Sequence, residues 1–292
     1  MTSGKFIDPT ALGQTSRQVR RFQGSEAPES SASDQLAVEE PLEIRLSWGE
    51  PDNRQSEAIS ITMRTPGQDI ELALGFLYGE GIIRSADQLL EAAHQPDSSG
   101  RPDPNVVTIS LKPGIDPQID QLRRNFYTSS SCGVCGKGSL DAVRALQTQN
   151  LAGLNPVFES STIHKLPAIL MGDQSLFKNT GGIHAAGLFT QRGEAEWIYE
   201  DVGRHNAVDK VVGRALVEGR MPLAGDLLVV SGRASFELVQ KTVAAGIPAL
   251  VAVGAPSSLA VDLALEYGLT LMGFVREGRF NAYSRPKRIL PG

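Results

Sequence analysis

The sequence predicts an α/β protein: a mixed, largely parallel sheet flanked by helices, with a smaller unit ahead of it. Three runs carry that reading. Leu227-Leu-Val-Val230, Ala249-Leu-Val-Ala-Val253 and Leu269 to Val275 are apolar without alternation, as strands covered on both faces are. Helical patterns separate them, one bearing Phe236, Val239 and Val243, the next Leu259 and Leu263 with Ala260 and Ala264 on a flank. Strand, helix, strand, helix, strand implies right-handed crossovers on a parallel sheet.

In chain order, residues 1–38 are rich in Ser, Gln, Arg, Glu and Pro and poor in large apolar groups. Such a stretch buries too little surface to offset the entropy of ordering, so it predicts a flexible N-terminal tail. The folded body is expected over 39–292, with a smaller subdomain over roughly 39–115 and a core over roughly 116–292. Ile59, Ile61 and Met63 alternate with Ser60 and Thr62, the pattern of a half-buried strand. Asp69 is placed to cap a helix carrying Leu72, Leu74, Phe76 and Leu77. Residues 95–104 read as a polar loop and 106–111 as a strand. Val208, Val211, Val212, Ala215 and Leu216 form one face of a helix that Gly219 ends.

Composition narrows the function. The chain has 292 residues, 41% of them hydrophobic, and a formal net charge of −5, which disfavours a general nucleic-acid binder. No apolar run has the length of a membrane span, and the N-terminus lacks the apolar core of a secretory signal. Two cysteines in a chain of this length make no disulfide scaffold, so a reducing, cytoplasmic setting is expected.

Both cysteines, Cys132 and Cys135, sit in Ser129-Ser-Ser-Cys-Gly-Val-Cys-Gly-Lys137. The surrounding glycines lower the cost of unusual backbone angles. A short helix is expected from Ser139, and its positive end together with Lys137 favours thiolate over thiol. The pair suits sulfur chemistry. Half of a zinc site is an alternative, but further nitrogen ligands come only from His94, His164, His184 and His205, and no second C-x-x-C exists. A dithiol that cycles through a disulfide is another.

Open α/β sheets bind ligands beyond the carboxyl ends of their strands. Here those ends are Ser231-Gly-Arg233, Gly254-Ala-Pro-Ser-Ser258 and Phe274-Val-Arg-Glu-Gly-Arg279, which offer hydroxyls, glycines and three arginines suited to an anionic ligand. Glu200-Asp-Val-Gly-Arg-His-Asn206 is a polar strand-to-helix turn, where Asp201 or Asn206 could meet a guanine edge and Arg204 a phosphate, or where the same groups serve as helix caps.

Several of these segments together resemble the FdhD family, sulfur-carrier proteins that formate dehydrogenase needs to become active. They are Glu40-Pro-Leu-Glu43, Met63-Arg-Thr-Pro-Gly67, Glu71-Leu-Ala-Leu-Gly-Phe76, the cysteine loop, Thr180-Gly-Gly-Ile-His-Ala-Ala186, residues 200–210, residues 231–241, residues 255–260 and residues 273–279. The resemblance implies a sulfurtransferase and cofactor chaperone. A cysteine desulfurase would load sulfur as a persulfide. The chain would pass it to the molybdenum–bis(molybdopterin guanine dinucleotide) cofactor destined for formate dehydrogenase. It points to Cys132 as the persulfide bearer and Cys135 as the assisting thiol. Together with the strand-end argument it assigns cofactor binding to Phe274, Val275, Arg276, Glu277, Gly278 and Arg279. It also implies a cytidine-deaminase-like core with a smaller appended domain and a homodimer; no structural metal, nucleic-acid or membrane partner is expected. Zinc deaminases carry a His-x-Glu whose glutamate moves protons; His184-Ala-Ala186 has alanine there, so a deaminase-like fold without deaminase chemistry is expected. The long stretch before Val38 departs in length from the family pattern. A chaperone that holds the cofactor without sulfur turnover is the reading from another class.

Overall fold

The structure is a computed structural model and describes residues 12–22, 31–119 and 150–292. Cys132, Cys135 and the helix expected from Ser139 lie outside the described residues.

The N-terminal stretch departs from expectation. Strands β1 (Gln14–Val19) and β2 (Ala32–Ala37) pair antiparallel from Gln14↔Ala37 to Val19↔Ala32. The Val38 amide donates to the Gly13 carbonyl at 2.8 Å, and Asn179 donates to Gln14 at 3.0 Å. So these parts of 1–38 are a hairpin docked on the body, not a free tail. Its order comes from a backbone ladder with exposed polar side chains, which composition does not signal.

A first sheet follows, from β3 (Glu40–Trp48), β4 (Gln55–Arg64), β5 (Leu89–Pro96) and β6 (Pro102–Leu111), in the order β4-β3-β6-β5. Helix α1 (Asp69–Gly79) covers one face, packing Leu72, Leu74 and Leu77 against Leu42, Ile44, Val107 and Ile109. The alternation in β4 makes a strand, but Ile61 and Met63, 66% and 47% exposed, turn outward, and only Ile59 packs on the core. The inward position at its end belongs to Arg64, which is fully buried and bonds Asp69 at 2.9 Å and the Pro104 carbonyl at 2.8 Å. Asp69 therefore does not cap α1. The cap position is Gln68, and the Asp69 carboxylate compensates the buried guanidinium. The expected polar loop over 95–104 is half strand: its two ends belong to β5 and β6, and the connection between them is residues 97–101.

The second sheet is preceded by β7 (Phe158–Glu159) and three short helices, α2 (Ser160–Ile163), α3 (Leu166–Gly172) and α4 (Ser175–Thr180). Next come β8 (His184–Thr190), β9 (Ala195–Asp201), α5 (Arg204–Val217), β10 (Asp226–Val230), α6 (Phe236–Ala244), β11 (Ala249–Ala252) and α7 (Ser258–Tyr267). β12 (Thr270–Arg276), β13 (Arg279–Ala282) and the short β14 (Ile289–Leu290) complete the chain. The order is β13-β12-β11-β10-β8-β9. Only β10–β11 and β11–β12 are parallel; the other three pairings are antiparallel. The sheet is thus mixed rather than largely parallel, because β8–β9 and β12–β13 are tight hairpins that can only return antiparallel. Its parallel centre is buried twice over. Leu228, Val230 and Leu250 pack on α5, α6 and α7, while Leu227, Val229 and Val251 pack on α2 and α3. That explains the runs without alternation.

The two sheets meet at the crossing of α1 and α5. A Cβ built on Gly75 would strike the Asp209 carbonyl, and one built on Gly213 would strike the Glu71 carbonyl. Glycine at both positions lets the two backbones touch.

Candidate functional site

The three loops at the carboxyl ends of β10, β11 and β12 form one edge. The Gly254 amide donates to Gly232 at 2.9 Å, Ala234 to Ala255 at 3.2 Å, Ser257 to Ala234 at 3.0 Å and Phe274 to Gly254 at 3.0 Å. A side chain on Gly254 would press on the Arg233 backbone at 3.0 Å, so the close approach favours glycine there. Ser231 links the edge to β8: its hydroxyl accepts from the Ala185 amide at 2.9 Å, and its own amide donates to Ala185 at 3.0 Å.

Beside these loops stand His184 at the start of β8 and Arg204 and His205 at the start of α5. Burial, then the Arg204 and His205 charges, hold the His184 pKa below its usual value, against the opposing pull of Asp201. Among the described residues the Arg204 Nε is buried without a hydrogen-bond partner. His205 Nε2 lies 2.6 Å from Glu237 and 3.4 Å from the Ser235 hydroxyl, both at the start of α6. Sequence reasoning did not find this His205–Glu237 pair, which joins two helix starts through tertiary structure.

Two of the residues weighed for a guanine edge do other work. Asp201 is fully buried. It pairs with Lys210 at 2.8 Å and accepts from the Gly203 amide at 2.8 Å, from Asn206 at 3.0 Å and from the Thr65 amide at 3.2 Å. Asn206 also donates to the Met63 carbonyl at 2.8 Å. Asp201 and Asn206 therefore tie the second sheet to the end of β4, and their hydrogen-bonding groups are spent on protein. Glu200 accepts from the Leu176 and Phe177 amides at 2.9 and 2.8 Å, which caps α4 from β9.

The residues expected to bind the cofactor occupy the β12–β13 hairpin. Arg276 pairs with Arg279 across the turn Glu277-Gly278, so both guanidiniums leave from one point, and both residues are exposed. Gly278 has φ +77°, the left-handed conformation the turn requires. Phe274 also has a positive φ, 53°, at a register shift, and is 41% exposed. Val275 is fully buried in the core beneath. His164 Nδ1 lies 3.2 Å from the Arg276 carbonyl and its ring 5.1 Å from that of Phe280, which fixes the hairpin root. The edge thus combines exposed cations with loop backbone, a surface suited to phosphate. Its relation to Cys132 and Cys135 lies outside the described residues. Among the described residues no group of three or more His, Cys, Asp or Glu is placed to hold a metal ion.

Residues 37–290 match the family described as FdhD/NarQ. The Sulfur carrier protein FdhD of Streptomyces avermitilis is 52% identical over 263 residues, covering 89% of this chain and 90% of its own. That of Nocardia farcinica is 46% identical over 279 residues, covering 95% and 96%. An alignment of that extent takes in part of the stretch before Val38, so the extra length expected there is shared with this relative. A putative formate dehydrogenase accessory protein from Desulfotalea psychrophila has a similar fold, with a TM-score of 0.71 at 24% identity over 95% of this chain and 99% of that one.

Proposed function

The chain belongs to the FdhD/NarQ family, and from that premise we propose that it is a sulfur carrier serving formate dehydrogenase. The observation that supports this most is the extent of the likeness: residues 37–290 match as one unit, and the Streptomyces avermitilis relative at 52% identity bears the name sulfur carrier.

In the proposed cycle a thiolate at Cys132 attacks the terminal sulfur of a donor persulfide, in the manner of thiol–disulfide exchange. The donor S–S bond breaks, the donor leaves as thiolate, and Cys132 carries the extra sulfur. A cysteine desulfurase is the donor this chemistry calls for. On delivery the Cys135 thiolate attacks the Cys132 Sγ. The terminal sulfur leaves as sulfide with the electron pair, and the two cysteines are left as a disulfide that a cellular thiol must reduce. A reducing cytoplasm meets that need. The acceptor is the molybdenum–bis(molybdopterin guanine dinucleotide) cofactor, handled as cargo. Arg276 and Arg279 offer its phosphates charged hydrogen bonds, and Phe274 offers an exposed ring face. A homodimer, a cytidine-deaminase-like core around the second sheet and no partnership with nucleic acid or membrane complete the proposal. Among the described residues no helix is long and apolar enough to cross a membrane.

Intact mass spectrometry after incubation with a desulfurase and cysteine tests it. The wild-type chain gains about 32 daltons, one sulfur atom on a thiolate, and Cys132→Ala, folded, gains nothing. A gain on that variant would move the persulfide to Cys135; no gain on the wild type would refute sulfur carriage.

A further inference from the structure

Helix α4 cannot hold itself. It has six residues, and of these only Leu176 is buried. That is well short of the roughly 12 residues below which an isolated helix is marginal in water. Its place is set by ties to its surroundings. Glu200 holds its first amides from β9. Gly181, with φ +68°, closes its last turn by donating to the Phe177 carbonyl at 2.8 Å. The remaining neighbour is the β1–β2 hairpin, which packs against it through β2.

The fit is close at the foot of the hairpin. A Cβ built on Gly13 would stand 2.7 Å from Leu176 Cδ1 and 3.2 Å from Thr65 Cγ2. The chain therefore lies directly on the buried residue of α4 and on the segment that follows β4. Asn179, near the other end of α4, donates to the Gln14 side chain at 3.0 Å. Within the hairpin the ladder is supported by the Val38 amide, 2.8 Å from the Gly13 carbonyl, and by the Ser16 and Ser33 hydroxyls, 2.6 Å apart. No residue of either strand is buried. A unit seated by a few polar bonds and one backbone foothold separates from the body at low cost.

Helix α4 is also a wall. Phe177, Gly181 and Gly182 line a cavity of about 470 Å³, together with Leu170 of α3 and with His184 and Ser231 from the sheet edge. The helix thus meets the hairpin through Leu176 and the cavity through the next residue, Phe177. We propose that the β1–β2 hairpin is a strap. Seated, it holds α4 in place as the cavity wall; unseated, it lets α4 loosen and the cavity open. Exchange of a ligand there is then governed by a segment that lies ahead of the family match, which begins at residue 37. The strap rests on these contacts and not on the proposed sulfur transfer; only the choice of a guanine nucleotide as a probe rests on that reading.

Hydrogen exchange on the full chain, read by mass spectrometry, tests this. Thr15→Pro with Leu36→Pro breaks the ladder at one pair of facing residues. The amides from Leu176 to Ile183 should then exchange roughly tenfold faster, the loss of about one hydrogen bond's worth of local stability. Those of β10 and β11 should keep their rates, because both faces of these strands are covered. Gln14→Ala, which removes only the bond from Asn179, should raise the α4 rates by a smaller factor. Guanosine diphosphate should leave the proline variant faster than the wild type. Unchanged exchange in α4 of the proline variant overturns the strap. So does an equal rise across β10 and β11, which would make the hairpin a support of the whole body. Equal release of the nucleotide by both proteins overturns its control of ligand exchange. A wild type that holds no nucleotide would count against the cofactor reading instead, with the exchange rates still deciding the strap.

Discussion

His184 shows how a single side chain takes its properties from its surroundings. Its strand start puts it half inside the protein, and Arg204 and His205 bring positive charge to it. Both effects disfavour the imidazolium, so its folded pKa lies below the ordinary 6.5. The sign for stability follows. The unfolded chain takes up this proton first as pH falls, so the group's contribution is intact above about 6.5 and is lost as pH drops toward the folded pKa. Wild type should therefore lose stability between pH 7 and 5 more steeply than His184→Gln in chemical denaturation; parallel slopes would contradict the assignment. The sequence marked His184 as notable through its glycine-rich setting and Ala186. Nothing in the sequence signals that Glu200 caps α4 from β9, a bond made through tertiary structure.

At the scale of elements, the twice-covered strands β10, β11 and β12 were legible, because burial on both faces leaves a continuous apolar run. Strand β4 was legible as a strand but not in its facing. Periodicity fixes which residues share a side, whereas Arg64 and its partner Asp69 decide which side turns in. The β1–β2 hairpin was not legible, since its order rests on backbone pairing among polar residues. The β12–β13 hairpin was read correctly as a strand end rich in charge, and its turn sets Arg276 and Arg279 side by side. If those guanidiniums meet phosphate, removing both by Arg276→Ala with Arg279→Ala should weaken guanine-nucleotide binding by roughly tenfold or more. The loss should be larger at low salt, where exposed charges are less screened. Calorimetry at two ionic strengths would show it, and unchanged affinity at both would place the cofactor elsewhere.

Among the described residues the two larger sheets are joined where α1 crosses α5. Gly75 and Gly213 bring α1 and α5 into backbone contact, and the Asp209–Lys241 pair, 2.6 Å apart and buried beside them, adds a charged tie between α5 and α6. A few residues further along the same surface, Asp201, Lys210 and Asn206 bind the end of β4. The polar turn at 200–206 left both a ligand and a capping network open in the sequence, because buried polar networks and binding sites use the same residue types; only burial separates them. The ordered set of motifs carried the family through the whole chain even where single motifs were ambiguous, and it carries the functional proposal as well. That proposal is tested most directly by following one atom. The chain is loaded with radioactive sulfur by a desulfurase, freed of donor, and mixed with formate dehydrogenase and its unsulfurated cofactor. The account predicts that label leaves the chain, appears in the enzyme and rises in step with formate oxidation. Activation with the label still on the chain, or label lost to solvent without activation, would contradict it.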